Sequence, residues 1–110
     1  MSNNGVPVQA TSPEKVQQLA ERIMQQIAAI YARHGIYPNA VQQQMLASHV
    51  CAMASRSLSG EPLPEVEADL FEDISPETMQ LARQIVDLFG NLPREEAWLL
   101  SVHIEVARAN

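Results

Sequence analysis

One cysteine, one lysine and no long apolar run set the first limits on this chain of 110 residues. Cys51 by itself cannot close an intrachain disulfide or supply a metal-type cysteine pair, so the fold must be held by packing, and a reducing cytoplasm is the expected compartment. Basic residues are scarce: seven against thirteen acids, for a formal charge of −6. Lys15 stands alone, and Arg22, Arg33, Arg56, Arg83, Arg94 and Arg108 are scattered, so no clustered basic face is available to neutralise phosphates and no direct binding of nucleic acid is expected. The same balance gives no attraction to anionic lipid. No stretch approaches the roughly 18 apolar residues that a membrane span requires. A soluble protein with no membrane partner is therefore expected. Also missing are a glycine-rich phosphate loop, a Gly-x-Ser-x-Gly elbow and a His-Glu-x-x-His pair. The common nucleotide-binding, hydrolase and metalloprotease signatures thus fail, and the expectation is a protein that is not an enzyme and has neither cofactor nor metal.

What the chain does have is apolar residues, 46% of the total, arranged almost throughout at helical spacing. That content suffices for one core in one domain. Residues 1–11 carry Gly, Pro and Asn without periodicity and read as a flexible leader. Ser12-Pro13 then opens a helix, with an N-cap hydroxyl ahead of a proline in the first turn, and Val16, Leu19, Ala20, Ile23, Met24, Ile27, Ile30 and Tyr31 recur every three or four residues until His34-Gly35. A second helix is predicted from about Asn39 to Ser57, with Val41, Met45, Leu46, Val50, Met53 and Ala54 on its apolar side and Gln42-Gln43-Gln44 largely solvated. The segment from Gly60 to Ile74 contains six acids and two prolines and reads as a connector with a helical turn or two around Val66 to Phe71.

Ser75-Pro76-Glu77 repeats the opening of the first helix. Met79, Ala82, Ile85, Val86 and Phe89 form the next stripe, closed by Gly90. A last helix from near Pro93 presents Leu99, Leu100, His103, Ile104 and Ala107 on one side. The order is a weak duplication: Met45-Leu46-Ala47-Ser48-His49-Val50 is echoed by Leu99-Leu100-Ser101-Val102-His103-Ile104. The fold class is all-α, a compact bundle of about four to five helices made of two helical hairpins, occupying residues 12–110 as one domain.

Chemistry concentrates on the two echoed histidines. At 100° per residue His49 falls between Met45 and Met53, so it faces the core or a partner, and His103 lies likewise between Leu99 and Ala107. A histidine on an apolar face is commonly a packed core residue, but two at equivalent places ask for more. Such a side chain can serve as base, metal ligand or phosphoryl acceptor near neutral pH. Glu96, two turns before His103, projects in the same direction and is expected to orient that imidazole. Arg56, two turns after His49, could fork onto an added phosphate or simply complement the helix C-terminal dipole. His34 fits a helix end better than a site. Cys51 points away from His49, against a shared metal. Met24, Met45, Met53 and Met79 are expected to line the core, with some on a dimer surface.

The stretch Leu46-Ala47-Ser48-His49-Val50 with Arg56 and Gly60, and the ending from Leu92-Pro93-Arg94-Glu95-Glu96 through Leu99-Leu100-Ser101-Val102-His103-Ile104 to Ala107, resemble the two histidine motifs of the PTS regulation domain (PRD) over residues 12–110. These domains are helical bundles of bacterial regulators of sugar operons, phosphorylated on histidine by phosphotransferase-system proteins. The resemblance implies that His49 and His103 are the candidate phosphoacceptors and that Arg56 and Glu96 hold matching framework positions. HPr or sugar-specific enzyme II components are the implied donors. A homodimer with the histidines near its interface, and a PRD-containing regulator as a further partner, follow from the same source. The expected function is a stand-alone regulatory module in control of sugar-gene transcription. The alternative is a structural or adaptor dimer that has lost phosphoryl chemistry.

Overall fold

A computed structural model describes residues 12–110, so the leader expected at 1–11 lies outside the described residues. Four α-helices and one short 3-10 helix follow in order: α1 Pro13–Arg33, α2 Ala40–Ser59, the 3-10 turn Ala68–Phe71, α3 Pro76–Asp87 and α4 Glu95–Arg108. Among the described residues no strand is found.

Local chemistry explains most boundaries. Ser12 is extended and its Oγ accepts a hydrogen bond from the Lys15 amide, with Pro13 in the first turn, where a missing N–H costs nothing. At the other end Gly35 takes φ 67°. The Gly35 amide bonds the Ala32 carbonyl and the Ile36 amide the Tyr31 carbonyl, a Schellman closure that also tucks Ile36 into the core. A reciprocal capping box starts α2: Asn39 Oδ1 accepts from the Gln42 amide at 2.8 Å, and Gln42 Oε1 accepts from the Asn39 amide at 2.9 Å. Gln42 is therefore a structural residue and not merely solvated as expected. The helix runs two residues beyond the expected Ser57, until Gly60 takes the left-handed cap conformation at φ 78°. Ser75 caps α3 as Ser12 caps α1. Among the described residues no side chain caps α4.

The expected two hairpins are present: α1 packs on α2 and α3 on α4, and the hairpins join chiefly through α2 against α4. One apolar cluster fills the interior. Ile23 and Ile27 of α1, Met53 of α2, Ile85 of α3 and Leu100 and Ile104 of α4 are essentially sealed from solvent, each contributing about 1.5–3 kcal/mol through burial. Two expected core residues are outside it: Val41 is 64% exposed and Met45 57%. α1 and α4 cover a narrower arc of α2 than its apolar stripe occupies, so the stripe's edge stays open. Near the connector, Phe71 of the 3-10 turn stacks on Trp98 of α4 with ring centroids 6.3 Å apart. Among the described residues no helix is long and apolar enough to cross a membrane.

Candidate functional site

α2 and α4 cross antiparallel, and three polar rungs span their seam. At one end Gln42 Nε2 donates to the Val106 carbonyl and to Asn110 Oδ1, while Asn110 Nδ2 donates back to Gln42 Oε1 at 2.6 Å and to the Tyr37 carbonyl. In the middle the rings of His49 and His103 lie 4.9 Å apart, tilted by 36°. At the far end Arg56 grips Glu96 bidentately, Nε to Oε2 and Nη2 to Oε1, both at 2.7 Å. Positions 42, 49 and 56 are seven apart on α2, and 96 and 103 are seven apart on α4, with Asn110 seven further on, just past the helix end. Seven residues are close to two helical turns, so each set stays on one face. The duplicated histidines thus meet each other.

Both histidines of the middle rung are half-buried. His49 Nε2 is buried and has no hydrogen-bond partner among the described residues. Burial, then the neighbouring His103 charge, then that of Arg56 lower the His49 pKa from 6.5 to about 4, with Glu96 opposing weakly. Burial also lowers His103, the less enclosed ring. Both imidazoles are therefore neutral at pH 7, each with one nitrogen lone pair. That is the state in which an imidazole attacks phosphorus.

Glu96 is fully buried, and both its oxygens are taken by Arg56. The expectation that Glu96 orients His103 is therefore corrected: the guanidinium matches a carboxylate in fork geometry more completely than one imidazole N–H can. Arg56, expected either to meet a phosphate or to sit exposed at the helix end, is instead part-buried and already paired, and the bond to Glu96 raises its pKa further. The signal was in the sequence. In an antiparallel pair, a cation seven residues after one histidine faces an anion seven residues before the other.

Beyond the ion pair lies a groove of about 510 Å³, between the connector (Gly60 to Val66) and the start of α4, with Leu63, Leu92 and Trp98 in its lining. Ser57 Oγ donates to Asn91 Oδ1 and Asn91 Nδ2 to the Ser57 carbonyl, tying the α3–α4 loop to the end of α2. Sequence reasoning also missed a second polar cluster, where buried Thr78 accepts from Ser75 and Arg108 and donates to Glu105. Only the Ser75 cap could have hinted at it. His34 is exposed at the end of α1, Cys51 is half-buried with Gln17, Ala20 and Met24 nearby, and Met53 alone of the four striped methionines is fully sealed. Among the described residues no three His, Cys, Asp or Glu side chains converge to hold a metal ion.

No protein-family model matches the sequence, and no curated protein does so. Among solved structures, a PRD-containing transcription regulator from Lactobacillus casei ATCC 334 matches at 30% sequence identity with a TM-score of 0.81, covering 91% of this chain and 97% of the other. Four helices in two hairpins, with paired histidines on the seam, define a helical regulatory domain. The chain belongs to the PRD family.

Proposed function

We propose that this chain is a PRD-type regulatory module, not an enzyme, in which the His49–His103 pair takes a phosphoryl group from phosphotransferase-system proteins and so reports sugar supply to the transcription machinery of sugar genes. One observation carries the reading: two neutral imidazoles 4.9 Å apart on the seam that joins the hairpins. HPr or a sugar-specific enzyme II component is the donor. A ring nitrogen lone pair attacks the phosphorus of the donor's phosphohistidine, the donor N–P bond breaks as the new one forms, and the proton on the acceptor's other nitrogen is free to return to the donor imidazole. A group carrying roughly two negative charges then stands on the α2–α4 face and changes what that face can pack against.

That face is where the second copy docks in this reading. Val41 and Met45 of α2 and Val102 and Val106 of α4 leave apolar side chains 43–64% exposed on the two seam helices. The same stripe favours the second reading, an adaptor dimer without phosphoryl chemistry. A PRD-containing regulator is the further partner, and the cytoplasm is the compartment that the phosphodonors require.

The test is phosphoryl incorporation from phosphoenolpyruvate through enzyme I and HPr, with and without enzyme II components. The wild type is expected to carry an acid-labile, alkali-stable phosphoryl group that is lost when both His49 and His103 are replaced by Gln. No incorporation from any of these donors leaves the adaptor dimer as the better reading.

A further inference from the structure

Two acceptors placed this close need not act as two sites. We infer that His49 and His103 form a single-occupancy site: each chain takes one phosphoryl group, and its arrival on either imidazole closes the other to a second. The inference rests on the phosphoacceptor reading above and adds its stoichiometry and regulation.

Three observations carry it. First, the ring centroids are 4.9 Å apart, less than a Debye length at physiological ionic strength, so two dianionic groups here would repel with little screening. Second, the charge available to offset them is already spent. Apart from His103 itself, Arg56 is the cation that acts on His49 among the described residues, and its fork is filled by the buried Glu96 carboxylate. Drawing Arg56 away would strand that carboxylate without a partner, which the interior resists. With that cation committed, a second dianionic group would meet the first without a free counter-charge among the described residues. Third, the rings are not equally open, since His49 Nε2 is sealed and unpartnered. His103, the less enclosed ring, is the point of entry, and a phosphoryl group on it places its charge beside the His49 ring.

The experiment is intact-mass spectrometry of the full chain under alkaline, denaturing conditions after exhaustive phosphorylation through enzyme I, HPr and phosphoenolpyruvate, together with His49→Gln and His103→Gln. The wild type is expected to stop at one phosphoryl group per chain, carried mainly on His103, while His103→Gln still takes one on His49. Wild-type chains with two phosphoryl groups overturn the inference and leave the proposed function standing. A His103→Gln variant of native helicity that takes none also overturns it, because His49 is then no acceptor and there is nothing to exclude. No incorporation into the wild type overturns the proposed function itself. The wild-type count does not depend on either variant folding.

Discussion

At the scale of single residues, His49 is where burial and chemistry conflict. Its ring sits against His103 with one nitrogen sealed from water, which favours the neutral form and leaves a usable lone pair at pH 7. The cost appears on acidification. The unfolded chain takes a proton on this side chain near pH 6.5 while the folded chain resists until about pH 4. Stability from this residue is thus fully present above 6.5 and is lost as pH falls towards 4, on the order of 2 kcal/mol after allowance for partial exposure. Denaturant unfolding at a series of pH values is expected to show that decline in the wild type and a flatter profile in His49→Gln. Parallel profiles for the two proteins would refute the assignment.

Between elements, the Arg56–Glu96 bond matters because it ties one hairpin to the other at the end of the α2–α4 seam. Glu96 has no exposed side-chain surface, whereas Arg56 keeps 17%. Truncating the arginine leaves a carboxylate buried without a counter-charge. Arg56→Ala is therefore expected to lower unfolding free energy by about 3–5 kcal/mol, and Arg56→Met with Glu96→Gln to recover much of the loss. Equal destabilisation by the single and double variants, measured by denaturant midpoint, would show that packing and not charge is at stake. The Thr78 cluster plays the corresponding part inside the second hairpin, binding the start of α3 to the end of α4 through Arg108 and Glu105.

For the whole molecule, the surface left over after the hairpins close is as informative as the core. Val41, Met45, Val102 and Val106 line the two helices that carry the histidines, so a second copy seated there would cover both the apolar stripe and the rim of the site. In the proposed dimer, Met45→Glu is expected to shift sedimentation equilibrium towards monomer while leaving helicity intact, because the side chain is already solvated in the folded chain. A variant that dimerises as well as the wild type would place the interface elsewhere.

The sequence alone determined the helices, their main stops and the two-hairpin order, because capping and periodicity depend on residues three or four apart: Ser12 with Lys15, Ser75 with Thr78, Ile23 with Ile27. It also singled out the two histidines and the charges two turns from each. Only the tertiary structure decided that these four residues form two rungs of one seam, and that Glu96 answers Arg56 and not His103. Those pairings join positions 40 or more residues apart, so they depend on how α2 crosses α4. The same crossing left Val41 and Met45 outside a core that their spacing had promised them, since periodicity fixes which side of a helix is apolar but not how much of that side a neighbour covers.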